Sequence, residues 1–210
     1  MENRRMALRT ILILAGIVVV ILTAKYLVDR PEESSVQTAD GEVPGRPELD
    51  VQLLTVNEYS RPGIALEQVN GIVIHYTANP GTSAQANRNY FENLQFSQDT
   101  KASSHFIVGL EGEIIQCIPT AEVAYASNDR NWDTVAIETC HPDETGQYTE
   151  ATYDSLVHLT AWLCRKFDLT SEQVIRHYDV TGKICPKYFV EDEGAWEQFK
   201  ADVENKRKEL

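Results

Sequence analysis

The segment Gly71-Ile-Val-Ile-His-Tyr76 is a short apolar run rich in β-branched residues, and the loop-forming stretch Thr77-Ala-Asn-Pro-Gly81 follows it. A run of this kind predicts a buried β-strand that ends in a loop. His75 stands at the carboxyl end of this strand, where open α/β sheets place their binding and catalytic residues. A single histidine there also fits a buried core position, so its role depends on the rest of the chain.

Strands and helices are mixed on both sides of this segment. Residues 134–140 form a second buried run, and residues 109–112 separate two apolar runs as the turn of a hairpin does. The sequence therefore predicts an α/β domain with a central mixed β-sheet flanked by helices. The other predicted elements are helices over 83–96 and 149–167, a strand over 174–176, and an amphipathic helix carrying Trp196, Phe199 and Val203.

The first 28 residues predict a membrane segment. Arg4, Arg5 and Arg9 precede residues 10–24, which carry no charge, and extension to residue 28 gives the length that spans a bilayer as a helix. The basic end is expected inside the cell, so the protein is expected at the cell membrane as a single-pass protein with an extracytoplasmic domain. The alternative is a cleaved signal peptide, although Leu22 occupies a place where cleavage needs a small residue.

Composition indicates the domain organisation and limits the partners that the chain can bind. Residues 29–50 contain proline, glycine and carboxylates with few large apolar residues, which predicts a flexible linker before a catalytic domain over 51–210. A net charge of −13 over 210 residues argues against nucleic-acid binding and against electrostatic docking on anionic lipid. Four cysteines in a chain of this length do not form a disulfide framework. The domain is expected to be monomeric.

The stretch Arg176-His-Tyr-Asp-Val-Thr-Gly-Lys-Ile-Cys-Pro186 carries two good zinc ligands, His177 and Cys185. This pair is a weak zinc signal, because structural zinc sites have more closely spaced ligand pairs. With His75 it makes three protein ligands, which leave the fourth tetrahedral position open as in catalytic zinc sites. Lys183 adds a cation two residues before the thiol, which suits a site that develops negative charge.

Glu138 is the candidate general base. It interrupts the apolar segment Val135-Ala-Ile-Glu-Thr139, and a carboxylate inside an apolar strand is costly unless another group compensates for its desolvation. Both faces of this strand are mostly apolar, so it is expected at the centre of the sheet, with Glu138 beside the metal. The alternative is a solvent-facing glutamate on an edge strand.

Several passages resemble the zinc-dependent N-acetylmuramoyl-L-alanine amidases of the type 2 amidase and peptidoglycan-recognition-protein superfamily. Their order and spacing match over about residues 63–199. The passages are Ile-Val-Ile-His-Tyr-Thr-Ala-Asn-Pro at 72–80, Ser-Ser-His-Phe-Ile-Val-Gly-Leu-Glu-Gly at 103–112, Val-Ala-Ile-Glu-Thr at 135–139, and His177 through Lys183 to Cys185.

The resemblance implies Zn²⁺ held by His75, His177 and Cys185, with peptidoglycan as the substrate. The bond hydrolysed would be the amide between the lactyl group of N-acetylmuramic acid and L-alanine. Glu138 falls where many members keep a catalytic glutamate, and Lys183 where members keep a catalytic lysine.

This chain departs from the pattern of some family members at the start of the hairpin. Some members place a catalytic tyrosine immediately before the position of His105, and this chain has Ser104 there. The general base and acid is therefore assigned to Glu138, which would take a proton from water and return it to the leaving amine. His105 is expected to line the substrate cleft, or to be a neutral structural histidine.

Two other functions remain open at this point. A non-catalytic peptidoglycan-binding module on the same fold is one alternative, although such relatives typically lose the thiol ligand, which Cys185 retains. A zinc peptidase acting on the stem peptide is the other, because the ligand set alone fits it equally well.

Overall fold

The computed structural model describes residues 43–210. The predicted membrane segment and most of the predicted linker lie outside this range. No helix within residues 43–210 combines the length and apolar character that a membrane span needs. The strands are β1 (Asp50–Val51), β2 (Gly71–Ile74), β3 (Phe106–Val108), β4 (Ile114–Gln116), β5 (Thr134–Thr139) and β6 (Val174–Arg176). The α-helices are α1 (Ala84–Ser97), α2 (Glu150–Lys166), α3 (His177–Thr181), α4 (Lys187–Glu191) and α5 (Glu193–Glu209).

The six strands form one mixed sheet in the order β1-β4-β3-β5-β2-β6. Only β3 and β4 pair antiparallel, as the hairpin pattern predicts, and every other neighbouring pair is parallel. β5 and β2 lie inside the sheet with strands on both sides, and their side chains are almost all buried. The predicted mixed α/β sheet, and the central position of the strand that carries Glu138, are confirmed.

Helices cover both faces of the sheet. Alternate strand residues such as Ile74 and Ile137 pack with α2 and α5, through Leu156, Phe199 and other buried side chains. On the opposite face, Ile107 and Ile115 pack with α1. α2 lies within the predicted helix 149–167 and is capped at its start, because the Thr149 hydroxyl accepts a hydrogen bond from the Thr152 amide. Helices therefore flank the sheet, as expected.

The ordered domain begins earlier than the sequence predicts. Residues 43–50 belong to the predicted linker 29–50, yet Pro47 is buried, and the Trp162 indole donates a hydrogen bond to the Val43 carbonyl at 3.2 Å. β1 then pairs with β4, although both of its residues are exposed. Backbone pairing and isolated apolar contacts hold this segment, and neither produces a hydrophobic period in the sequence.

Candidate active site

The site forms at the carboxyl ends of three neighbouring parallel strands. Ile74 of β2 lies opposite Ile137 of β5 on one side and opposite Arg176 of β6 on the other. One residue further along, the same register brings His75, Glu138 and His177 into a single row. Registered residues on neighbouring strands project to the same face of a sheet. The sheet register therefore brings together two predicted ligands and the predicted base.

His75, His177 and Cys185 form a buried cluster. Their ligand atoms all lie within 4.8 Å of one another. The Cys185 thiol is 3.9 Å from His75 Nδ1, and the centroids of the two histidine rings are 4.6 Å apart. Tetrahedral zinc with bonds of about 2.0–2.3 Å needs ligand separations of roughly 3.5 Å, so small side-chain shifts would close the set around one ion.

Local structure explains how Cys185 reaches the histidines. α3 starts at His177, and the Asp179 carboxylate caps it by accepting a hydrogen bond from the Arg176 amide at 2.8 Å. Gly182 ends the helix in the left-handed conformation, with φ at 78°, which glycine adopts without a steric penalty. The chain then turns back, and the Tyr178 amide donates to the Cys185 carbonyl at 2.8 Å.

The chemistry of this donor set fits a cation. Burial, together with the nearby His177 and Lys183, lowers the pKa of His75 well below its ordinary value. Burial and, to a smaller extent, the positive charge of Lys183 lower the pKa of His177. Both histidines are therefore biased to the neutral form that binds metal. Burial and the neighbouring Glu138 raise the pKa of the Cys185 thiol to about 12, so a thiolate there calls for a compensating positive charge.

Glu138 is half-buried, and its Oε2 atom is shielded from solvent without a hydrogen-bond partner among the described residues. Burial raises the pKa of this carboxyl to about 8, and the Lys183 charge opposes the rise. A carboxyl with a pKa near neutrality, and with an oxygen that has no partner within residues 43–210, has the properties of a general base and acid beside a set of candidate metal ligands. Its position is the one predicted from the sequence.

Lys183 lies on the exposed loop between α3 and Cys185. Its charge acts on His75, His177 and Glu138, so the ammonium is within electrostatic reach of the cluster. Across residues 43–210, the ammonium makes no hydrogen bond or ion pair. It is thus available to a ligand at the cluster.

The predicted substrate-binding role of His105 does not agree with its surroundings. The ring is buried, its Nδ1 accepts a hydrogen bond from the Ala136 amide at 3.0 Å, and its Nε2 lies 2.9 Å from the Glu122 carbonyl. Both ring nitrogens are therefore occupied by backbone groups, and burial lowers the pKa of the ring to about 4. His105 is the neutral structural histidine of the two alternatives. Ser104 is likewise buried and donates to backbone carbonyls.

Two residues that no sequence pattern points to contact the two histidines of the cluster. Ser127 Oγ lies 3.1 Å from His75 Nε2, and Asn128 Oδ1 lies 2.9 Å from His177 Nε2. In the sequence they belong to Ser-Asn-Asp-Arg-Asn at 127–131, which resembles any polar loop. Each is about 50 residues from the histidine it touches, so local pattern carries no signal of the contact.

Comparison with known proteins identifies the family of this chain. The family model described as "Amidase_2: N-acetylmuramoyl-L-alanine amidase" matches residues 65–188. The chain is 37% identical over 163 residues to N-acetylmuramoyl-L-alanine amidase CwlL of Bacillus licheniformis, a match that covers 71% of this chain and 45% of the relative. It is 34% identical over 174 residues to N-acetylmuramoyl-L-alanine amidase BlyA of Bacillus subtilis strain 168, covering 73% and 46%.

Solved structures share the fold. The catalytic domain of XlyA is 26% identical with a TM-score of 0.64, and the match covers 75% of this chain and 99% of that one. PlyL, at 23% identity and a TM-score of 0.66, supports the fold alone. The chain spans about half the length of the curated relatives that it matches. The matched region contains every residue of the cluster, and the chain belongs to the Amidase_2 family of N-acetylmuramoyl-L-alanine amidases.

Proposed function

We propose that this protein is a zinc-dependent amidase that hydrolyses the bond between N-acetylmuramic acid and L-alanine in peptidoglycan. The observation that supports it best is the buried His75, His177 and Cys185 cluster beside Glu138, whose Oε2 atom has no hydrogen-bond partner within residues 43–210. Relatives that carry this amidase name match the chain over most of its length. Peptidoglycan is the substrate that these names imply.

The residues divide the chemistry between them. Zinc held by His75, His177 and Cys185 would supply Lewis-acid chemistry, which activates water and polarises a carbonyl. Glu138 takes the proton from the attacking water and delivers it to the leaving nitrogen of L-alanine. Lys183 approaches from the exposed loop and stabilises the negative charge that develops on the carbonyl oxygen. The bond between carbonyl carbon and nitrogen breaks, and water supplies the hydroxyl and the proton.

The direct test is mass spectrometry of muropeptides after digestion by the purified, zinc-loaded protein. We expect peptides with a free L-alanine amino terminus, together with glycan that carries free lactyl carboxylates. Glu138→Ala should abolish release while retaining zinc, because the carboxyl is outside the ligand set. The variant Glu67→Ala, which removes an exposed carboxylate elsewhere, should cleave like the wild type. Glycan-bearing peptides that stay intact with zinc-loaded protein would refute the amidase proposal.

The same digest separates the alternatives. A binding-only module would retain peptidoglycan in a pull-down and release nothing, whereas a stem-peptide peptidase would leave L-alanine attached to the glycan. Cys185→Ser should lose zinc on dialysis, because a hydroxyl is a much poorer ligand for zinc than a thiolate. Full zinc content in that variant would remove Cys185 from the proposed site.

We also propose that residues 1–28 anchor the protein in the cell membrane as a single span, with the domain outside the cytoplasm as a monomer. The proposal is supported by residues 10–24, which carry no charge and follow three arginines in the sequence. The full chain should stay in the membrane fraction after alkaline extraction, and an external protease should degrade the domain in spheroplasts. Release into the medium with a new amino terminus would establish the cleaved signal peptide instead.

A further inference from the structure

We infer that Ser127 and Asn128 are positioning residues for the metal centre, each orienting one histidine ligand through the ring nitrogen that faces away from the metal. The inference deepens the proposed function, because it rests on zinc binding at His75, His177 and Cys185. It assigns a role to a polar loop that neither the motifs nor the proposed chemistry uses.

The contact between Asn128 and His177 fixes a proton. Asn128 Oδ1 lies 2.9 Å from His177 Nε2, and an amide oxygen can only accept a hydrogen bond. His177 Nε2 must therefore carry the hydrogen, which leaves the lone pair on Nδ1. A neutral imidazole binds a metal through its unprotonated nitrogen, so this hydrogen bond presents Nδ1 of His177 as the ligand atom.

Ser127 does the same for His75. The Nδ1 atom of His75 faces the Cys185 thiol at 3.9 Å, which makes it the metal-facing nitrogen, and Nε2 lies 3.1 Å from the Ser127 hydroxyl. Both Ser127 and His75 are almost fully buried, so water does not compete for this hydrogen bond. The hydroxyl can accept from Nε2 and hold the ring in the plane that points Nδ1 at the cluster.

The loop that supplies the two contacts is itself held in place. The Asn131 amide oxygen accepts hydrogen bonds from the backbone amides of Ala126 and Ser127. Asn128 has a φ of 54°, a left-handed conformation that asparagine tolerates better than most residues. A 3-10 helix over Asn128–Trp132 follows and leads directly into β5, which carries Glu138. One short segment therefore connects both histidines to the strand of the proposed base.

The expected effect is on metal affinity. Partners that orient metal-bound histidines typically contribute about 10- to 100-fold to metal affinity or activity when removed. Zinc dissociation constants should be measured by competition with a chromophoric chelator for the wild type, Ser127→Ala and Asn128→Gly. Glycine is chosen at 128 because it removes the acceptor and still adopts the observed backbone conformation. Each variant should bind zinc about 10-fold more weakly or worse.

Three comparisons separate positioning from a general loss of structure. Asn128→Asp keeps a carboxyl oxygen as the acceptor and tolerates the same φ, so its zinc affinity should stay within a few-fold of the wild type. Ser60→Ala removes another buried hydroxyl, which accepts from the Asn57 amide at 2.9 Å, and should leave zinc affinity unchanged. Nitrogen-15 spectra of the histidine rings should show hydrogen on Nε2 of both ligands in the wild type, even without zinc.

The outcomes distinguish this inference from the metal centre on which it rests. A wild type that fails to bind zinc overturns both. Tight binding by the wild type with unchanged affinity in Ser127→Ala and Asn128→Gly overturns the positioning role alone. Hydrogen on Nδ1 of His177 in the nitrogen spectra would also overturn it, because the Asn128 contact could not then form as described.

Discussion

Neutralising Glu138 should change how the stability of the zinc-free protein depends on pH. Burial raises the pKa of this carboxyl to about 8, against an ordinary value of 4.5. The unfolded chain releases the proton near pH 4.5, whereas the folded chain keeps it until about pH 8. Stability associated with Glu138 is therefore fully present below pH 4.5 and is lost as pH rises to about 8. The shift spans roughly 3.5 pH units, which at about 1.4 kcal/mol each gives a loss of about 5 kcal/mol.

The variant Glu138→Gln removes the titration and keeps the shape of the side chain. Urea unfolding of zinc-free wild type and variant should be followed by circular dichroism at several values between pH 4 and 9. The stability difference between them should move in favour of the variant as pH rises, by several kcal/mol over this window. Gln68→Ala, at an exposed side chain that does not titrate, should keep a constant difference from the wild type.

Parallel stability curves for wild type and Glu138→Gln would refute the reasoning, because they would mean that the carboxyl ionises in the folded state as freely as in water. Zinc supplies a second check. A cation beside Glu138 favours the carboxylate and lowers its pKa. Saturating zinc should therefore stabilise the wild type more strongly at pH 8 than at pH 5, and Glu138→Gln should lose the part of this difference that comes from its own titration.

Three further predictions concern other parts of the molecule. Lys183→Met should lower kcat by about 100- to 1000-fold and leave the zinc content unchanged, as loss of an oxyanion-stabilising group does. An unchanged kcat would exclude Lys183 as the group that stabilises the oxyanion. Phe199→Ala should reduce the free energy of unfolding by about 3–5 kcal/mol, because this buried ring stacks on Phe189 with centroids 5.0 Å apart. Urea unfolding measures this loss, and Phe96→Ala, at an exposed ring, should show a much smaller one. His105 should remain neutral in proton NMR titrations down to about pH 4. The stability that its burial contributes is therefore present above pH 6.5 and is lost as pH falls through about 4. A titration midpoint near 6.5 would show that the ring is not buried as described.

Most of the sheet could be predicted from the sequence, because burial on both faces leaves a direct mark on composition. β2 and β5 are short apolar runs, and the Thr149 cap and the turn at 109–112 have local signals. The packing of residues 43–50 on α2 could not be predicted in this way. It depends on single contacts, such as the one between Val43 and Trp162, and not on a repeating face.

Within the site, the same distinction separates the contacts that the sequence predicts from those that it does not. His75, Glu138 and His177 stand at the ends of recognisable strands, so their approach follows from strand order. The orientation of His105 depends on a hydrogen bond from the Ala136 amide, and the roles of Ser127 and Asn128 depend on contacts across about 50 residues. Such contacts follow from the tertiary arrangement, which residue types alone do not specify.

The spacing of the two histidines in the cluster is a property of the sheet. Neighbouring strands lie about 4.8 Å apart, and the His75 and His177 rings, which follow β2 and β6 in register, have centroids 4.6 Å apart. Cys185 does not follow a strand of the sheet, and it reaches the cluster through the loop that begins at Gly182. An insertion of one residue between Gly182 and Cys185 should therefore weaken zinc binding strongly while leaving the sheet intact. An insertion at the exposed Asp99, which precedes β3 and so lies at the opposite edge of the sheet, should change neither.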